Sequence, residues 1–181
     1  MVRLGEVVPA LELETGASGP FDLTPQTRPT LLLFHRHLGC LLCQDHVAAV
    51  HDRLDELGDT RVAVVTFADP SRLVAHRTRL GVPFPVLTDP TRRAYQAFGF
   101  TRGTRGAIWN LSTVGFYARA VRNRRPLARP TEDIRQLGGD IVIDATGRLT
   151  YRFASAHPDD RPSVEELIDA VHRSRRPLNG Q

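Results

Sequence analysis

The sequence predicts an α/β fold, a central mixed β-sheet flanked by helices, with a helical segment inserted before a C-terminal β-hairpin. Three observations predict it. Two strand-length apolar runs, Thr30 to Phe34 (TLLLF) and Arg61 to Phe67 (RVAVVTF), alternate with segments of helical periodicity, the order of a parallel sheet covered on both faces. Farther on, IVI between Asp140 and Asp144 and then Leu149 to Phe153 flank a turn containing Thr146-Gly147, which reads as an antiparallel hairpin. Between these halves the rhythm lapses from about residue 101 to 138, which marks an insertion within one domain spanning 1–181.

The elements follow in order. Met1 to Leu23 is a lead-in with Val7, Val8, Leu11 and Leu13 as strand residues, a turn at Gly16 to Pro20, and a loop from Pro25 to Pro29. Gly39 ends the first buried run. Val47, Val50, Leu54 and Leu57 then recur at helical spacing, with Gly58 as the stop. After the second strand, a helix over Ser71 to Leu80 starts at Pro70 and closes at Gly81. Pro83 to Leu87 is briefly extended, Asp89-Pro90 opens a helix over Ala94 to Phe98, and Gly99 ends it. The insertion carries one helix from Ala107 to Val121 with Trp109, Phe116 and Tyr117, then a basic run (Arg119, Arg122, Arg124, Arg125) and a Pro-punctuated loop through Pro126 and Pro130. Pro162 to Arg173 is the last helix, with Val164, Leu167, Ile168 and Val171 on its apolar face, and Arg175 to Gln181 a frayed tail.

Composition narrows the function classes. A hydrophobic fraction of 41% and a charged fraction of 24% are ordinary for a globular chain. All 24 basic residues are arginine, and the net charge of +4 is spread too thinly for a nucleic-acid footprint. Met1 to Ala10 lacks the pattern of a signal peptide, and no stretch approaches the roughly 20 apolar residues of a membrane span. The expectation is a cytoplasmic protein with neither nucleic acid nor membrane as a partner. No P-loop or G-x-G-x-x-G occurs, so no flavin or nucleotide is implied, and no metal.

Both cysteines of the chain, Cys40 and Cys43, lie at the strand-to-helix turn as C-x-x-C. The unpaired N–H groups and positive dipole end of a helix stabilise thiolate, the form that attacks disulfides and peroxides. Such a site brings a cysteine pKa from about 8.5 down to between about 3.5 and 7.5. His35, Arg36, His37 and His46 would push the same way if they face the sulfurs, and Asp45 would oppose them. Strand alternation would place His35 and His37 on one face and Arg36 on the other. The spacing lets the pair cycle between dithiol and disulfide with little backbone movement. Zinc competes for the same residues: Cys40, Cys43 and His46 with His35 or His37 make an acceptable ligand set, although no second C-x-x-C or H-x-x-x-H exists.

A parallel β-α-β start with C-x-x-C at the first helix N-terminus, finished by a hairpin and a helix, resembles the thioredoxin fold. LGEVVPALEL, HLGCLLC, DPTRRAYQAFGF, IVIDATGRLTYRF and HPDDRPSVEEL resemble its peroxiredoxin-like AhpC/TSA branch, which includes the peroxiredoxin-like prostamide/prostaglandin F synthases. The resemblance covers nearly the whole chain. On the peroxiredoxin motif Pro-x-x-x-Thr/Ser-x-x-Cys, Cys43 takes the place of the reactive cysteine, Cys40 that of the Thr and Arg36 that of the Pro; the family arginine falls near Gly138, so Arg135 or Arg152 would have to replace it. By that pattern Cys43 attacks and Cys40 resolves. By the thioredoxin pattern Cys40 attacks, and the usual burial of the second cysteine of a helical C-x-x-C favours this order.

The resemblance implies an antioxidant thiol peroxidase or thiol-disulfide oxidoreductase acting on a peroxide, a disulfide or another small molecule. A thioredoxin-type or low-molecular-weight thiol would reduce it, and a homodimer is an allowed assembly. Two other readings remain: a reductase of one small-molecule endoperoxide, and a zinc- or partner-binding module without catalysis. Trp109, Phe116 and Tyr117 read as core packing of the inserted helix or as a lid over the cysteines. In the second case Trp109 with Arg119 and Arg122 would form a pocket for an apolar or anionic substrate. The Asp144 to Arg148 turn is structural.

Overall fold

The computed structural model describes residues 1–11, 13–15, 19–23 and 27–175, and the side chains of all of these but 19 and 20. Seven strands form one mixed sheet: β1 (Leu13–Thr15), β2 (Gly19–Phe21), β3 (Thr30–Phe34), β4 (Arg61–Thr66), β5 (Val86–Thr88), β6 (Gly139–Ile143) and β7 (Leu149–Ala154), in the spatial order β2-β1-β5-β4-β3-β6-β7. Pairs β3–β4 and β4–β5 are parallel; β3–β6, β6–β7, β1–β5 and β1–β2 are antiparallel. The mixed sheet and its terminal hairpin therefore match the sequence expectation. The lead-in differs, because Gly19 and Pro20 belong to β2 rather than to a turn. The remainder of that expected turn, Pro25 and Gln26 of the expected loop, and the tail after Arg175 lie outside the described residues.

β3 is buried along its whole length because it has cover on both sides. Leu31 and Leu33 pack with Val47 and Val50 of α1 (Leu41–Asp52), Leu73 of α2 (Leu73–Leu80), and Leu167 and Val171 of α6 (Val164–Ser174). Leu32 and Phe34 pack on the opposite face with Ala94 and Tyr95 of α3 (Arg93–Ala97), and with Phe98 and Phe100 just beyond it. The alternation of a strand sends neighbouring residues into different cores, so a continuous apolar run was the right signature. No helix of the described residues is long and apolar enough to cross a membrane.

Two helix expectations are corrected. The single helix from Ala107 to Val121 is two, α4 (Arg105–Ile108) and α5 (Leu111–Arg122). Thr104 caps the first by accepting from the Ala107 N–H at 3.2 Å, and Asn110 restarts the chain by accepting from Thr113 N–H at 2.7 Å. α3 begins past the Asp89-Pro90 pair, after Arg92 in left-handed conformation (φ 57°). The Asp89 carboxylate reaches over that turn to accept from the N–H groups of Arg93 (3.0 Å) and Ala94 (2.7 Å).

Candidate active site

β3 ends in the middle of the sheet, and its C-terminal end delivers His35 to Gly39 into the interior before α1 begins. Tyr95, fully buried on α3, fixes this exit by donating its hydroxyl to the carbonyls of His35 (2.7 Å) and Val65 (3.1 Å). Burial pushes the Tyr95 phenol up, which keeps it a donor. Cys40 is the N-cap of α1, its sulfur 3.3 Å from the Cys43 N–H. The two sulfurs are in disulfide contact with Cα atoms 5.3 Å apart, and neither side chain is exposed.

Each sulfur faces its own guanidinium. Arg36 Nη1 stands 3.9 Å from the Cys40 sulfur while its Nη2 donates to the Ile134 carbonyl at 2.7 Å. Burial lowers the Arg36 pKa to about 10, with Arg161 lowering it further and Tyr117 and Asp159 opposing, so it remains a cation at neutral pH. Arg161 Nη2 lies 3.5 Å from the Cys43 sulfur and donates to the Phe34 carbonyl at 2.9 Å. Its Nη1 meets the buried Asp140 carboxylate at 3.4 Å, and the other oxygen of Asp140 faces His46 Nε2 at 3.2 Å. Burial pushes Asp140 up, but His46 and Arg161 outweigh it and hold the carboxyl below its usual range.

Gly138 makes room for this arrangement. A Cβ there would fall within contact of the Phe34 carbonyl oxygen and 2.9 Å from Arg161 Nη2. The position that the peroxiredoxin pattern assigns to arginine is thus the gap through which an arginine from farther along the chain reaches the sulfur. Arg135 and Arg152 are committed elsewhere, to the carbonyls of Gly103 (3.1 Å) and Phe98 (2.6 Å). Arg161 was missed because residues 118 apart in sequence share no periodicity; the only signal was the HPDDRPSVEEL stretch that contains it.

The histidines behave differently from the sequence expectation. His37 is buried, and that burial, followed by the Arg36 charge, lowers its pKa to about 4. His35 is also lowered, first by burial and then by His76, whose ring centroid lies 5.7 Å away. Both are neutral at pH 7 and add no positive charge at the sulfurs. His46 Nε2 lies 3.2 Å from the Asp140 carboxylate. Among the described residues, no three His, Cys, Asp or Glu side chains come together as a group able to hold a metal ion.

A cavity of about 170 Å³ opens at the turn before Cys40, lined by Arg36, His37 and Gly39 on one side and by Ile108, Trp109, Thr113, Tyr117, Leu127, Ala128, Pro130 and Ile134 of the insertion on the other. Trp109 lines it and is still 61% exposed. Arg119 and Arg122 are exposed and are not among its lining residues; the charge in the cavity is Arg36. Asp45 is turned away from the sulfurs into a bidentate pair with Arg125 (2.6 and 2.8 Å), which ties the insertion to α1. Asp159 ties the other end, accepting from Ser112, from Thr113 (3.2 Å) and from His157 (2.8 Å). The 157–161 loop thus holds α5 with one residue and reaches Cys43 with another.

A family model described as AhpC/TSA antioxidant enzyme matches residues 47–157, more than half of the chain, and the chain belongs to that family. The matched span begins beyond Cys43, so the cysteine pair rests on the geometry above. A thioredoxin-like chloroplastic protein of Arabidopsis thaliana, AAED1, is 23% identical over 177 residues, covering 91% of this chain and 70% of its own length. Among solved structures, peroxidoxin BcpB of Mycobacterium tuberculosis superposes with a TM-score of 0.70 at 14% identity, covering 97% of this chain and all of that one. A peroxiredoxin-like protein of Aquifex aeolicus gives 0.68 at 12%, covering 96% and 88%. A secreted M. tuberculosis disulfide oxidoreductase gives 0.55 at 14%, covering 91% and 96%. The fold is thioredoxin-like.

Proposed function

We propose that this AhpC/TSA family member is a thiol peroxidase for small organic peroxides, with Cys40 as the attacking thiol and Cys43 as the resolving one. The observation that carries the reading is the apolar cavity that ends at Arg36, the guanidinium beside the Cys40 sulfur. In the reduced protein the α1 N-terminus and Arg36 favour the Cys40 thiolate. The thiolate attacks one peroxide oxygen; the O–O bond breaks, Cys40 becomes a sulfenic acid, and the departing alkoxide takes a proton to leave as an alcohol. Arg36 is placed to hold the charge that develops on that oxygen. The Cys43 thiol then attacks the sulfenic sulfur, water leaves, and the Cys40–Cys43 disulfide forms. An external dithiol restores the pair. An endoperoxide would react at the same bond, with both oxygens kept in the product.

The test is intact mass after mixing fully reduced protein with a slight excess of cumene hydroperoxide or hydrogen peroxide, with alkylation at times from milliseconds to minutes. Loss of both alkylation sites, faster with the organic peroxide, is the expected result. Persistence of both thiols for minutes with either peroxide, alongside rapid oxidation by a disulfide such as oxidised glutathione, would reassign the protein to thiol-disulfide exchange.

A further inference from the structure

Charge is distributed unevenly along the chain. Residues 101–131 contain seven arginines and no acidic residue, which leaves 17 of the 24 arginines against all 20 acidic residues elsewhere. The 101–131 stretch is therefore +7 and the rest of the chain −3. Arg102 pairs with Asp133 and Arg125 with Asp45. The other five, Arg105, Arg119, Arg122, Arg124 and Arg129, are exposed and form no ion pair with a described residue.

The same segment exposes apolar side chains. Leu111 is 93% exposed, Val121 59% and Val114 47%, and their spacing, with Ala118 between them, puts them along one side of α5. The opposite side, with Thr113 and Ala120, is the packed one. Trp109 and Leu127, 61% and 49% exposed, continue the surface to the cavity. An apolar stripe with unpaired arginines beside it is the pattern of a helix that lies in a membrane interface.

We propose that this face rests on an anionic lipid bilayer, with Leu111, Val114, Val121 and Trp109 entering the headgroup boundary and the five free arginines on lipid phosphates. Charge decides between occupants. A second copy would set +7 against +7. A protein partner would have to supply both an acidic rim and a pocket for Leu111, a side chain that stands almost clear of its own surroundings; a bilayer supplies both without shape matching. The absence of a spanning segment, which removed membranes from the sequence expectation, does not bear on a helix that lies on the surface.

Trp109 is the only tryptophan of the chain and reports on this face. The experiment titrates the full chain with vesicles of phosphatidylcholine alone or with 30% phosphatidylglycerol, following Trp emission and co-sedimentation. A blue shift and co-sedimentation with the anionic vesicles only, weakened in about 0.5 M salt, are expected. Each arginine near such a surface is worth about fivefold in partitioning, so Arg119→Glu/Arg122→Glu lowers binding by at least about 25-fold. Leu111→Asp, on an exposed position, lowers it by about tenfold or more with the thermal midpoint unchanged. Equal binding to both vesicle types, or wild-type binding by the charge-reversed variant, overturns the proposal. So does no binding to either vesicle, and a Trp109 shift on adding reduced thioredoxin would then assign the face to a protein partner.

Discussion

The two sulfurs of the pair sit in unlike surroundings although only two residues separate them. Cys40 faces Arg36, which lines the cavity with neutral His37 and, among the described residues, donates to one backbone carbonyl. Cys43 faces an arginine locked by the Phe34 carbonyl and by a buried carboxylate that is itself paired with a histidine. One side is built to admit a molecule and respond to it. The other holds its charge fixed by a buried ion pair, and the proposal that Cys40 attacks rests on that asymmetry.

Exchanging the cysteines breaks the comparison most severely. Cys40→Ser removes peroxide reduction by on the order of a thousandfold or more, whereas Cys43→Ser still makes the first attack and accumulates a Cys40 sulfenic acid that dimedone traps. The reverse pattern in dimedone labelling and peroxide consumption would exchange the roles.

Filling the gap beneath Cys43 is the next largest perturbation. Gly138→Ala places a Cβ against the Phe34 backbone and the Arg161 guanidinium, and should cost about 3 kcal/mol in urea unfolding. The same substitution at exposed Gly106, where a Cβ meets nothing within 4 Å, should cost nothing measurable.

Acid separates the two sides. Burial lowers the His37 pKa from its ordinary value of 6.5 to about 4, so the unfolded chain binds a proton between these pH values and the folded chain does not. Stability from this group is complete above about pH 6.5 and is lost as pH falls toward 4, by on the order of 3 kcal/mol. His76, lowered to about 4 chiefly by burial, adds a loss of the same sign and window. Asp140 is held low, so its contribution goes only below the ordinary carboxylate range. Urea midpoints at pH 7 and pH 4.5 should therefore differ less in His37→Gln than in the wild type.

The smallest expected effect compares the arginines directly. Arg36→Met should raise the Cys40 thiol pKa by about one unit and slow peroxide attack about tenfold at neutral pH. Arg161→Met should leave attack nearly unchanged and slow disulfide closure. Thiol titration by absorbance at 240 nm and rapid-quench alkylation read the two steps separately, and equal effects on attack would erase the distinction between the sides.

The sequence alone determined what depends on neighbours in the chain. TLLLF was legible as a strand buried on both faces, C-x-x-C as a pair at a helix start, and Thr146-Gly147 as a hairpin turn, because each rests on periodicity, capping or turn chemistry over a few residues. The break at Trp109-Asn110 was local too, but Asn110 as a cap was hidden by the apolar run around it. Tertiary structure alone decided which charges reach the sulfurs. Arg161, Asp140 and His46 come from a loop, a strand and a helix, and they meet because Gly138, just before β6, leaves space under the end of β3. Packing also placed His37 in the cavity lining, where burial neutralises it, and left Arg119 exposed on α5 outside that lining. Periodicity places a side chain on a face of its own element; only packing places it against another.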